Sequence, residues 1–175
     1  QGSGKTHVGW QRPCGALMRL VVVMGVAGCG KSSLARALAE KHHGLFLEGD
    51  NFHPPANKQK MAGGLPLTDE DRRTWLNALH AEVQRLGSGG KTIFLACSAL
   101  KKSYRERLAA GVSAPSFVYL KIDREGARRR LEQRADHFMP ASLVDSQFEI
   151  LQEPDDAVVL DAERPLDELV RELKF

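Results

Sequence analysis

Gly25-Val26-Ala27-Gly28-Cys29-Gly30-Lys31-Ser32 decides how the rest of the chain is read. It satisfies G-x-x-x-x-G-K-[ST] in full and follows a β-branched apolar run, Arg19 to Met24. It opens a segment, Ser33 to His42, with Leu34, Ala35, Leu38 and Ala39 at helical spacing. Strand, glycine-rich turn and helix in that order make a phosphate-binding loop. The glycines let successive backbone N–H groups converge, and the helix N-terminus adds its amides and the positive end of its dipole. Gly25, Val26, Ala27, Gly28, Cys29, Gly30 and Ser33 are thus expected to cradle phosphates. Lys31 brings a positive charge to them, and the Ser32 hydroxyl is placed for Mg²⁺. The ligand class is a nucleoside triphosphate.

Working outward, two imitations fall away. Gly2-Ser3-Gly4-Lys5-Thr6 looks like the end of such a loop but lacks the preceding strand and the first glycine. Leu20 to Gly28 with Cys29 looks like the end of a lipoprotein signal, yet cleavage there would remove the first strand and half the loop. Residues 1–17 have no periodicity and contain Pro13 and several glycines, and are read as a leader outside the fold. Residues 18–175 are read as one domain.

Further strands are expected at Leu45 to Leu47, Thr92 to Cys97, Ser116 to Ile122 and Ala157 to Leu160. The clearest helix runs from Thr68 to Leu86. Thr68 caps it, Asp69, Glu70 and Asp71 fill its first turn, and Trp75, Leu76, Leu79, Val83 and Leu86 form its apolar stripe. A closing helix is expected over Pro165 to Leu173. Five strands separated by helices predict an α/β fold with a five-stranded parallel sheet covered on both faces.

Composition narrows the function. Of 25 Lys and Arg, only Lys5, Arg12 and Arg19 lie before residue 20, and the remainder balances 22 Asp and Glu. A neutral body argues against nucleic acid as partner, and in the single basic turn Arg128-Arg129-Arg130 the first two read as solvated. No apolar run reaches the 18 or so residues of a membrane span. Three cysteines without C-x-x-C spacing fit reduced thiols, and a cytoplasmic location. A GTPase-like switch would need D-x-x-G followed by N-K-x-D. Asp123-Arg124-Glu125-Gly126 and Asn57-Lys58-Gln59-Lys60 imitate these in the wrong order, and Lys60 stands where the aspartate belongs.

The segment after the second strand points elsewhere. Glu48-Gly49-Asp50-Asn51-Phe52-His53-Pro54 is followed by Asn57, Lys60-Met61 and Gly64-Leu65-Pro66-Leu67-Thr68-Asp69-Glu70-Asp71-Arg72. Trp75-Leu76, Cys97-Ser98-Ala99-Leu100-Lys101-Lys102, Tyr104-Arg105, His137-Phe138 and Ser146-Gln147-Phe148-Glu149 come next. At these residues the chain resembles the gluconokinases, of the shikimate-kinase-like group of P-loop kinases, over about residues 18 to 175. The resemblance implies a three-layer P-loop kinase fold with a helical lid at about 134–142. It implies transfer of phosphate from ATP, with Mg²⁺, to D-gluconate, giving 6-phosphogluconate. It also implies that a homodimer is one state to expect. A kinase of another small acid, such as shikimate, is the nearest alternative. Glu48 stands where the family usually has aspartate, and Asp136 where it usually has glycine.

Asp50 ends the second strand beside the phosphate loop, where open α/β sheets place ligands. Its carboxylate is expected to orient the acceptor hydroxyl and to take its proton. His53, Lys60, Arg72, Lys101, Arg105 and His137 are the further candidates for holding substrate or phosphate, on the matched blocks. Arg130 and Arg134, four apart on one helix face, lead into the expected lid and are candidates for the transferring phosphate. Arg73, Lys102 and Arg107 are expected to face solvent, and Trp75 to lie in the core.

Overall fold

In the computed structural model, the described residues are 18–134 and 140–175. They form five strands: β1 Arg19–Met24, β2 Leu45–Glu48, β3 Ile93–Ala96, β4 Ala114–Lys121 and β5 Ala157–Asp161. All neighbours are parallel, in the order β2-β3-β1-β4-β5. The helices are α1 Lys31–Lys41, α2 Pro55–Ala62, α3 Asp69–Gly87, α4 Lys102–Ala109, α5 Arg124–Glu132, α6 Leu143–Ile150 and α7 Leu166–Glu172.

Alternation along the buried strands explains the layers. Val21, Val23, Phe94, Ala96, Val118 and Leu120 face a core shared with Leu34 and Leu38 of α1, Leu131 of α5, Val144 of α6 and Leu169 of α7. Leu20, Val22, Met24, Ile93, Leu95 and Tyr119 face the opposite way, onto Trp75, Leu79 and Val83 of α3 and Leu108 of α4. Both faces of the sheet are covered, as a parallel sheet requires. Met18 packs beside this second core, against Gly87 at the end of α3.

The α3 start is built as expected. The Thr68 hydroxyl accepts from the Asp71 N–H, and the Asp71 carboxylate accepts from the Thr68 N–H at 2.9 Å. Two helices were not foreseen. α2 buries only Asn57 and Met61, and α6 only Leu143, Val144 and Gln147, so neither carries a long apolar stripe. Pro55 in the first turn of α2 starts it without a side-chain cap. Of the expected lid, Arg134 and Pro140 to Ser142 lie outside the helices flanking it, α5 and α6. His137, expected as a substrate contact, lies outside the described residues.

Candidate active site

Three strand ends meet at one edge of the sheet. β1 runs into the phosphate loop, β2 into a 3₁₀ turn, Gly49–Phe52, that carries Asp50, and β3 into the loop at 97–101. The loops are joined by backbone hydrogen bonds: Cys97 N–H to Val23 O at 3.1 Å, and Gly25 N–H to Ser98 O at 3.3 Å. Between them lies a cavity lined by Lys31, Ser32, Asp50, His53, Arg72 and Arg134, with Trp75, Ser98, Leu100 and Gln147 completing its wall.

The nucleotide side is made of backbone. Gly30 caps α1 at φ 97°, a left-handed conformation that directs the following amides into the cavity. Gly28, at φ 86°, lies so close to α5 that an added Cβ would sit 2.8 Å from the Ala127 carbonyl oxygen. Val26, Ala27 and Cys29 are buried, so the loop meets the cavity chiefly with its backbone. Cys29 is 1% exposed, so its thiol serves packing. The Lys31 ammonium donates to the Val26 carbonyl at 3.0 Å across the loop.

Gln147 from α6 braces the same loop. Its side-chain oxygen accepts from the Ala27 N–H at 2.7 Å. No local signal in Ser146-Gln147-Phe148-Glu149 marks this role, because the bond spans 120 residues.

On the opposite side of the cavity, side chains are held by ring stacking and by backbone carbonyls. The His53 ring is buried and stacked on the Trp75 indole, with centroids 4.2 Å apart and planes at 16°. Trp75 donates through Nε1 to the Gly49 carbonyl at 2.8 Å, fixing the turn that carries Asp50. Trp75 therefore belongs to both core and cavity wall, a double role its place on the α3 stripe did not disclose. Burial pulls the His53 pKa down to about 4, against the nearby Asp50 carboxylate, which raises it. Arg72 enters the cavity half-buried. Its guanidinium donates to the Leu67 carbonyl and lies 5.8 Å from the centre of the Tyr104 ring.

Three expected substrate cations are not among the residues lining this cavity. The Lys60 ammonium pairs with Asp71 at 2.6 Å, and that bond pulls the Asp71 pKa down to about 2. Lys101 pairs with Asp69 at 2.8 Å and is raised by it. Arg105 is 7% exposed and donates to the Ala99 and Leu100 carbonyls at 3.0 and 3.2 Å. These bonds hold Ala99 at φ 45°, a conformation that a non-glycine residue adopts only under such support. The acidic first turn of α3 and a strained loop take up these three charges. Of the four cations expected to hold substrate in this part of the chain, Arg72 is the one that lines the cavity.

A second cavity adjoins the first at Gly30 and Arg134. Ser33, Leu34, Arg130, Arg164, Leu166 and Leu169 line it. Arg130 donates to the carbonyls of Cys29 at 3.4 Å and Ala162 at 2.7 Å, tying the phosphate loop to the turn after β5. Arg134 lines both cavities. Arg128 and Arg129 are exposed and paired with Asp145 and Glu163, a solvated turn as expected. Arg73, Lys102 and Arg107 are exposed as well.

The donor set suits Mg²⁺. The Ser32 hydroxyl lines the cavity next to Lys31, and a Mg²⁺ held chiefly by phosphate oxygens and water needs only one or two protein oxygens. Among the described residues, no helix is long and apolar enough to cross a membrane.

Comparison with known proteins agrees with this geometry. A family model described as an AAA domain matches residues 20–154. The thermoresistant gluconokinase of Escherichia coli K12 is 43% identical over 155 residues, covering 86% of this chain and 89% of that one. Among solved structures, a gluconokinase from Sinorhizobium meliloti superposes with a TM-score of 0.78 at 42% identity, covering 89% of both chains. A sugar kinase from Janibacter sp. superposes at 0.82 and 40% identity, covering 89% of this chain and 91% of that one.

Proposed function

We propose that this chain, which belongs to the gluconokinase family of P-loop kinases, transfers the γ-phosphoryl group of ATP to D-gluconate, giving 6-phospho-D-gluconate. One observation carries the reading: Lys31 and Ser32 of the phosphate loop share a single cavity with Asp50 and Arg72. A phosphate-binding loop and groups able to hold an acceptor thus border the same space.

In this reading the loop amides and Lys31 hold the β- and γ-phosphates. Ser32 would hold Mg²⁺, which supplies positive charge to the phosphate oxygens when bound. The second cavity, where Leu34, Leu166 and Leu169 stand beside Arg130 and Arg164, suits the nucleoside. Asp50 accepts a hydrogen bond from the primary hydroxyl of gluconate and aims its oxygen at the γ-phosphorus. As the new P–O bond forms and the bond to ADP breaks, that hydroxyl proton passes to Asp50. Arg134 reaches both cavities and supports the charge spread over the transferring group. Arg72 pairs with the carboxylate at the far end of the acid, and Asp50 repels it, which fixes the direction of binding.

The test is ADP release with gluconate, glucose and shikimate at equal concentration. Gluconate is expected to lead. A neutral sugar leaves the Arg72 charge unpaired and is expected to lose roughly two orders of magnitude in kcat/KM. Glucose matching gluconate would overturn the charge argument, and shikimate leading would reassign the acceptor.

A further inference from the structure

Asn57 lies one layer behind the cavity wall. It is 4% exposed and is not among the lining residues, yet its side chain touches one that is. Its Nδ2 donates to the Asp71 carbonyl at 2.9 Å and stands 3.5 Å from His53 Nδ1. The first bond settles which end of the amide is which, because the carbonyl of Asn57 in that place would face another carbonyl. One hydrogen of the NH₂ group is then committed to Asp71, and the other faces His53 Nδ1. An N–H pointing at Nδ1 requires a lone pair there. In a neutral imidazole the proton must be on Nε2.

Nε2 in turn is 4.0 Å from Asp50 Oδ1. That gap is too long for a direct hydrogen bond. A hydroxyl oxygen about 2.8 Å from both atoms would bridge it with an angle at oxygen of roughly 90°. It would accept from Nε2–H and donate to the carboxylate, and an alcohol offers both functions on one atom. The opposite tautomer would fail twice. Nδ1–H would meet the Asn57 N–H, and the Nε2 lone pair would face the Asp50 carboxylate. Stacking on Trp75, whose indole is anchored to Gly49, keeps the imidazole in its plane. A half-turn that keeps that plane would put Cδ2 in place of Nδ1 and leave the Asn57 N–H facing carbon.

We propose that Asn57 is a positioning residue that holds His53 as the Nε2–H tautomer, so that His53 Nε2–H and the Asp50 carboxylate form a donor–acceptor fork for one hydroxyl group of the acceptor. The proposal rests on the reading of this cavity as the site of a polyhydroxy acid, and it deepens it. Recognition by His53 is then neutral and directed at hydroxyls, while anion recognition belongs to Arg72. Burial supports this division, since it keeps the ring uncharged near neutral pH.

The test begins with the full chain labelled with ¹⁵N and no ligand added. Imidazole ¹⁵N–¹H correlation, assigned by the signals lost in His53→Gln, is expected to show Nδ1 unprotonated and Nε2 protonated between pH 6 and 8. A protonated Nδ1 would overturn the proposal. Kinetics follow with Asn57→Asp, which presents an acceptor to Nδ1 and inverts the preference. Its kcat/KM for gluconate is expected to drop roughly tenfold to a hundredfold, with KM for ATP unchanged. In a His53→Gln background the same change is expected to cost less than about threefold, because the glutamine amide offers an N–H without a tautomer to fix. Equal losses in both backgrounds would overturn the role. If the wild-type protein did not turn over gluconate, the proposed function would fall. The tautomer measurement, which needs no substrate, would still decide for or against Asn57.

Discussion

The two walls of the cavity are built in opposite ways. The wall proposed for the nucleotide is one continuous stretch of eight residues that offers mainly backbone, with Gly28 and Gly30 at positive φ and the side chains of Val26 and Cys29 turned inward. The wall proposed for the acceptor gathers Asp50, His53, Arg72 and Trp75 from a turn, a loop and a helix, and the last three are each held by another group. Gly49 holds Trp75, Trp75 stacks on His53, and Leu67 takes a bond from Arg72. A backbone cradle suits a ligand part common to all nucleoside triphosphates. Interlocked side chains suit a ligand that must be told apart from near relatives. On this view damage to the first wall costs chemistry, and damage to the second costs selectivity.

The sharpest way to break that division is Lys31→Ala. Turnover is expected to fall by about three orders of magnitude with thermal unfolding unchanged, because the change removes a phosphate charge and no core contact. ADP release and a melting curve check both halves. Arg72→Met comes next. It is expected to lower kcat/KM for gluconate by roughly a hundredfold and to leave KM for ATP unchanged, which narrows the gap between gluconate and glucose. A matching loss for ATP would mean the two walls are not separable. Smaller again is Gln147→Ala, which withdraws the acceptor from the Ala27 N–H and leaves the loop's own bonds in place. About a tenfold fall in kcat is expected, with little change in gluconate KM.

Acid sharpens the comparison from the other wall. His53 takes a proton near its ordinary 6.5 when unfolded and only near 4 when folded. Between those values the unfolded chain binds more protons. Stability is therefore fully present above pH 6.5 and falls as the pH drops towards 4, by up to about 3 kcal/mol. Urea midpoints at pH 7, 6 and 5 measure the slope, and His53→Gln is expected to flatten it. The smallest effect is expected from Lys60→Met. The half-exposed pair with Asp71 contributes little in water, so KM for gluconate is expected to change by less than about threefold.

Much of the nucleotide wall was legible in the sequence because its signals are local. The loop, the strand before it, the helix after it and the Thr68 cap each lie within a few residues of the features that reveal them. The acceptor wall was legible as a set of residues, not as a set of partnerships. Lys60, Lys101 and Arg105 all looked like cations awaiting a ligand. Their actual partners are Asp71, eleven residues away, Asp69, thirty-two away, and carbonyls of a loop bent to receive them. Nothing in the order of residues says which acid a lysine will meet once α2 and the 97–101 loop are laid beside α3. α2 itself was missed for a related reason. A helix with two buried residues has no periodicity to detect, although one of the two, Asn57, sits directly behind the cavity.

The near contact between Gly28 and Ala127 has a consequence for anyone splicing this protein with its relatives. The phosphate loop and α5 are separated by about a hundred residues of chain, yet no Cβ fits between their backbones. A chimera that imports α5 and the turn beyond it, to borrow another enzyme's Arg130 and Arg134, must also import a loop of compatible shape. The crossover points that look natural on a linear map, at the ends of β4 and α5, would divide a unit that works as one piece. Exchanges that keep residues 25–32 and 124–134 from a single parent are the ones expected to yield active hybrids.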